Sequence, residues 1–245
     1  MAGHLYGIGV GPGDPELMTL KARRLLGACP IVAHFAAPSR RGNAWTIVEG
    51  VLEPGQAVLR LEYPVTTEAV EATEYERLLD AFYDASAAAV ERELLAGRDV
   101  AVVCEGDPFF YGSYMYLHER LARRYPTTVV PGVTSFSAAA AAAGTPLVSR
   151  EETLTVIPGV LGQPELEAVL RSVDAAVVMK VGQHLVDIRA AAAGAGIEGA
   201  VYVERASCLD QRVLPLADTD GLQAPYFSVV LVPGRALAQR RPRPQ

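Results

Sequence analysis

Lysine is almost missing from this chain. Of its 22 basic residues only Lys21 and Lys180 are lysines, and the formal net charge at pH 7 is −6. A nucleic-acid partner asks for a basic stripe or patch, so the balance leans against RNA or DNA. Histidine and cysteine are also scarce. His4, His34, His118 and His184 form no metal-ligand pair, and Cys29, Cys104 and Cys208 are too far apart for one, so no metal site is expected. An odd cysteine count without a signal segment points to a reducing cytoplasm. No long apolar run occurs. The longest candidate, "SFSAAAAAAGTPLV" (Ser135 to Val148), consists of small residues and is interrupted by Gly144 and Pro146. It reads as a packed helix rather than a membrane span.

A complete phosphate loop is absent too. The stretch "GIGVGPGDPELMT" (Gly7 to Thr19) begins like a dinucleotide fingerprint with Gly9 and Gly11, but Asp14 stands where the third glycine belongs. Pro12 and Pro15 remove two backbone donors, and no Gly-Lys-Ser/Thr follows. A nucleotide-dependent oxidoreductase is therefore disfavoured. Local chemistry predicts a strand over "LYGIGV", a glycine turn, Asp14 as a helix cap and Pro15 as the first helical residue. The density of Gly9, Gly11 and Gly13 implies that the backbone also passes close to something flat or bulky.

Half of the 245 residues are hydrophobic, enough to bury a substantial core. Short Val/Ile-rich runs alternate with helical patterns. Strands are expected at 5–10, 31–34, 58–61, 100–104, 127–130, 154–157, 175–180, 200–204 and 227–232. Helices are expected at 15–28, 75–96, 111–124, 135–143, 164–173 and 185–193. This pattern predicts an α/β protein of two domains with largely parallel sheets. "PLVSREE" (Pro146 to Glu152) is the candidate boundary, giving domains 1–147 and 148–245. The basic, proline-rich tail "RALAQRRPRPQ" reads as a disordered end.

Two loops share one grammar. "VVCEGDPFFYGSYMYLHERL" (Val102 to Leu121) repeats the strand, Gly-Asp-Pro, helix order of the opening stretch. Ligands of open α/β sheets bind at the carboxyl ends of the strands, so two such loops would offer carboxylates to one cleft. Carboxylates accept from ribose hydroxyls or attract a cation. Phe109, Phe110, Tyr111, Tyr114 and Tyr116 form an aromatic wall or belong to the core. In "VVPGVTSFSAAAAAAG", Thr134 and Ser135 open an alanine-rich helix as caps. "VVMKVGQH" places Lys180 at an apolar strand end, where a lysine pairs, loses its proton or reaches water. "YVERASCLDQR" ends a strand with Glu204 and Arg205.

Taken together and in this order, "GIGVGPGDPELMTLKA", "CEGDPFFYGS", "VVPGVTSFSAAAAAAG" and "VMKVG" resemble the signatures of the tetrapyrrole methylase family. The longer "CEGDPFFYGSYMYLHERL" and the closing "PYFSVVLVPG" resemble one branch, the precorrin-2 C20-methyltransferases of cobalamin synthesis. The resemblance implies the class III methyltransferase fold, a homodimer, a tetrapyrrole acceptor and S-adenosylmethionine held between two α/β domains, with S-adenosylhomocysteine as product. It implies C20 methylation of precorrin-2 to precorrin-3A. Alternatives are the cobalt-containing acceptor, a uroporphyrinogen-III methyltransferase, or a carrier without activity. Carried over by motif, the cofactor contacts are Pro12, Glu105, Gly106, Asp107, Phe110, Thr134, Ser135, Val181 and Ala206. Many relatives have Gly where this chain has Glu105, relatives often have Ala at the place of Ser135 and can have Met at that of Val181, and some have a glycine at that of Ala206. Asp14 and Asp107 match in full and are the candidate catalytic residues. Arg40, Arg41, Arg150, Lys180 and Arg205 are candidates for the acceptor's carboxylates, or else solvated surface cations.

Overall fold

The computed structural model describes residues 1–64 and 72–234. Among them lie two five-stranded sheets in two compact units, the first running Met1–Thr134 and the second beginning at Ser135. The expected disordered tail, 235–245, lies outside the described residues.

The first unit contains β1 (Leu5–Gly9), α1 (Leu20–Ala28), β2 (Ile31–Ala36), α2 (Asn43–Val48), β3 (Ala57–Glu62), α3 (Ala72–Leu95), β4 (Val100–Cys104), α4 (Tyr114–Leu121) and β5 (Thr127–Val130). Its strands are all parallel, in the order β3-β2-β4-β1-β5. β4, "VAVVC", is buried along its whole length, as a central parallel strand covered on both faces must be. Alternate residues feed two cores. Leu5, Ala33, Val102 and Cys104 pack with α3 and α4; Ile8, Val32, Ala101 and Val103 pack with α1 and α2. Gly7 leaves room for the buried Tyr114, whose ring lies 2.3 Å from where a Cβ would stand. The single helix expected over 15–28 is two pieces. Asp14 caps a short 3-10 helix, Pro15–Leu17, and Thr19 then starts α1 afresh, its Oγ1 accepting from the Ala22 N–H at 3.1 Å.

The second unit contains α5 (Ser135–Ala142), β6 (Leu154–Pro158), α6 (Gln163–Ser172), β7 (Ala175–Met179), α7 (Leu185–Gly194), β8 (Val201–Glu204), β9 (Arg212–Pro215) and β10 (Ser228–Val232). Its sheet runs β6-β7-β10-β8-β9. The α/β class holds, but the expectation of a largely parallel sheet does not extend here. Only β6 and β7 pair in parallel; β10 is antiparallel to β7 and β8, and β9 is antiparallel to β8. The chain explains this. The link from β8 to β9 is too short for a parallel crossover, which takes a dozen residues or more. α6 and α7 cover the core formed by Ala176, Val178, Tyr202 and Val230, and α5 packs on β10 and β8.

Candidate functional site

In the first sheet, β1 leads to β2 on the far side of β4, whereas β4 leads to β5 on the far side of β1. The two central neighbours send their connections in opposite directions. The gap beyond their carboxyl ends is a topological switch point, the place where open α/β sheets bind ligands.

Both Gly-Asp-Pro loops are at this point, and they are bonded to each other. The Val10 N–H donates to the Cys104 carbonyl at 2.9 Å, and the Gly106 N–H donates to the Gly11 carbonyl at 2.8 Å. Gly11 and Gly106 thereby form an antiparallel bridge, both at positive φ (81° and 64°), a conformation glycine adopts without cost. The loop after β5 joins them. A Cβ on Gly132 would lie 1.9 Å from the Gly106 carbonyl oxygen, and one on Gly9 would lie 2.6 Å from the Gly132 nitrogen. Three strand ends thus meet through glycine backbone.

The two aspartates carry backbone tasks in this junction. Asp14 Oδ1 accepts from the Glu16 N–H at 2.8 Å. Asp107 Oδ1 accepts from the Phe109 N–H at 2.9 Å, and its Oδ2 accepts from the Gly132 N–H at 3.0 Å. Asp107 therefore ties the second loop to the third. The structure gives these candidate catalytic residues the work of holding the loops in shape.

Glu105 differs. It is half-buried, and among the described residues its side chain has neither a hydrogen bond nor an ion pair. Burial alone pushes its carboxyl up to about 8, because loss of hydration disfavours the charged form. Pro12 and Gly106 are buried and Phe110 is half-buried, its ring edge-on to Tyr111 with centroids 5.2 Å apart. Thr134 and Ser135 are half-buried where the third loop enters α5. The aromatic wall divides. Tyr114 is core, Tyr116 stacks on Tyr83 at 4.3 Å, and Phe109 and Tyr111 are exposed.

The arrangement does not suit a pyrophosphate. Pro12, Pro15 and Pro108 offer no N–H, and the groups at the loops are acidic. The donor set fits a cationic ligand with hydroxyls to bind, such as a sulfonium nucleoside.

The other candidates are dispersed. Arg40 and Arg41 are exposed beyond the end of β2, and Arg41 pairs with Glu49 at 2.8 Å. In the second unit β7 and β8 run the same way, so Lys180 and Arg205 follow carboxyl ends at one sheet edge. Both are in the left-handed region, with φ of 57° and 47°, and each precedes a buried residue, Val181 and Ala206. Non-glycine residues held there carry strain that clusters at ligand sites. Arg205 already lies 3.0 Å from Asp210 and 3.8 Å from Glu204. Arg150 precedes the amino end of β6, at the opposite edge of that sheet.

Two features escaped sequence reasoning. Tyr202 Oη donates to the buried Glu204 at 2.6 Å and lies 3.0 Å from Ser228 Oγ, a polar set at the end of β8. Its signal was only a Tyr and a Glu two apart in a strand. His34 is buried on β2 beside Trp45, with ring centroids 4.9 Å apart; burial lowers its pKa. Nothing in its immediate sequence marks it.

Comparison with known proteins follows the same lines. Over 234 residues, 95% of this chain and 96% of the relative, it is 49% identical to a precorrin-2 C(20)-methyltransferase of Sinorhizobium sp. It is 31% identical to the cobalt-precorrin-2 C(20)-methyltransferase of Salmonella typhimurium, covering 95% and 97% of the two chains. It spans about half (46%) of a cobalamin biosynthesis protein of Mycobacterium tuberculosis, at 49% identity. Its backbone matches the crystal structure of uroporphyrin-III C-methyl transferase from Thermus thermophilus complexed with S-adenosylhomocysteine, with TM-score 0.66, 27% identity and coverage of 94% and 92%. The family model for tetrapyrrole (corrin/porphyrin) methylases matches residues 4–219. The chain belongs to the tetrapyrrole (corrin/porphyrin) methylases.

Proposed function

We propose that this protein methylates precorrin-2 at C20, using S-adenosylmethionine and yielding precorrin-3A and S-adenosylhomocysteine. One observation carries the choice of acceptor and carbon, the 49% identity that runs end to end with a precorrin-2 C(20)-methyltransferase. The geometry supports the class of methyl donor, through acidic, proline-stiffened loops joined at a switch point. When bound, the cofactor supplies an electrophilic methyl group on a sulfonium sulfur.

The chain's own part is to hold and align. Pro12, Gly106, Asp107, Phe110, Thr134 and Ser135 hold the donor, with Asp107 keeping two of the loops in register. Val181 and Ala206 are further cofactor contacts of this reading. Lys180 and Arg205 meet acceptor carboxylates, where charge-assisted hydrogen bonds are strong. Alignment of this kind lowers a displacement barrier by converting an encounter into an intramolecular step. A homodimer and a cytoplasmic location complete the reading; sedimentation tests the first.

The deciding experiment incubates the protein with methyl-labelled S-adenosylmethionine and either metal-free or cobalt-loaded precorrin-2. Label at C20 by NMR, with preference for the metal-free acceptor, is expected. Label at another carbon, or transfer to uroporphyrinogen III instead, would replace the proposal with another methylase of the family. The lower identity to the cobalt-precorrin-2 enzyme, 31%, favours the metal-free arm.

A further inference from the structure

Replacing hydrogen by methyl on an unsaturated ring carbon leaves a proton to be removed. The new C–CH3 bond forms as the S–CH3 bond breaks, and the S–C electron pair stays on sulfur as a neutral thioether. The C–H bond then breaks, and its electron pair returns to the ring's π system. The proton needs an acceptor.

The carboxyl groups on the two loops are not equivalent. Asp14 accepts from Glu16, and Asp107 from Phe109 and Gly132, so both are held by backbone N–H groups. Glu105 has no such partner among the described residues. Glu105 follows Cys104, the last residue of β4, and its backbone lies beside Val10, whose N–H donates to the Cys104 carbonyl. The acid is half-buried at the carboxyl end of this central strand, directly before the Gly106–Gly11 bridge.

Resting on the methyltransferase reading above, we infer that the Glu105 carboxylate accepts the proton displaced from the methylated carbon. Titratable groups on its own and the adjoining elements are Cys104 and Asp107 on its strand and loop, Asp14 on the loop after β1 and His34 on β2; none of them sets its affinity for protons, which burial alone raises to about 8. A base works best when its pKa lies near the working pH. A sulfonium nearby favours the ionised carboxylate, so binding of the donor and release of this proton are linked.

The test compares the whole protein with Glu105→Gln and Glu105→Asp. Calorimetry from about pH 6 to about pH 9 reads the linkage. Wild-type affinity for S-adenosylmethionine should rise with pH, approaching tenfold per unit below the carboxyl's pKa, whereas affinity for the uncharged-sulfur S-adenosylhomocysteine should not. Glu105→Gln should abolish the rise. Single-turnover methyl transfer should fall by roughly 10²- to 10⁴-fold in Glu105→Gln and partly recover in Glu105→Asp. A pH-dependent rise that survives in Glu105→Gln, or transfer at the wild-type rate, would overturn the inference while leaving the enzyme a methyltransferase. A wild type that transfers no methyl to any tetrapyrrole would overturn the reading beneath it, and this inference with it.

Discussion

A carboxyl group without a partner among the described residues, at the end of β4, ties the stability of the fold to pH with the opposite sign to a salt-bridged acid. Glu105 ionises at about 8 in the folded protein and at about 4.3 in an unfolded chain. Between those values the folded state holds a proton that the unfolded state has lost, so stability falls as pH rises. Glu105→Gln removes this cost. The variant should exceed wild type by at most about 1 kcal/mol near pH 5, and by up to ~1.4 kcal/mol more for each further unit toward pH 8. Urea melts at three pH values check it; an advantage that does not grow with pH would mean that Glu105 has an ordinary carboxyl. A gain in stability paired with a loss of turnover is the usual mark of a residue kept for function. At this scale the sequence spoke for Asp14, whose capping role follows from its neighbours alone. It was silent on the bond by which Asp107 ties two loops, because the Gly132 N–H it holds is 25 residues away, and on the lack of a partner for Glu105 among the described residues.

Whole elements were easier to read than their directions. A strand such as β4 announces itself because burial on both faces leaves an unbroken Val-rich run. The run "SVVLV" of β10 looks the same whichever way it points, which is why its antiparallel pairing was invisible. β9, "RVLP", is a short, mostly exposed edge, and α2, "NAWTIV", is less than two turns, with a Trp-Thr-Ile-Val run that favours strands. The meeting of β1, β4 and β5 is tighter than any pattern suggests. Gly132→Ala would place a methyl 1.9 Å from the Gly106 carbonyl oxygen and 2.9 Å from the Gly9 Cα. Neither is the end of a flexible side chain, so the strand ends must part. A loss of about 3 kcal/mol or more is expected, together with loss of S-adenosylmethionine binding. Gly50→Ala is the control. Its Cβ meets nothing within 4 Å, and the change should stay within about 0.5 kcal/mol of wild type. Thermal melts of the two variants decide; equal melting temperatures would show that the glycine junction is loose.

At the scale of the molecule the question is which unit each element belongs to. The sequence placed the domain change after Leu147, at the Pro- and charge-rich stretch, because composition shifts there. The compact units part earlier, at Thr134 and Ser135, since α5 packs on β10 and β8. Composition marks where a linker is polar, whereas contact decides where a cooperative unit begins. α5 is short and alanine-rich, and Ala138 and Ala139 are its buried residues. A helix of that length holds little stability of its own, so it should open only when the sheet beneath it opens. Native-state hydrogen exchange should therefore give the amides of α5 the same opening free energy as those of β8 and β10, distinct from those of β1 and β4. Ala139→Leu would crowd a fully buried position and should cost about 1–3 kcal/mol. That loss should appear as faster exchange in α5, β8 and β10, with β1 and β4 keeping their protection. If β1 and β4 lost protection equally, the two units would be one cooperative body, and the helix that follows the candidate site would be as much a part of the first sheet as of the second.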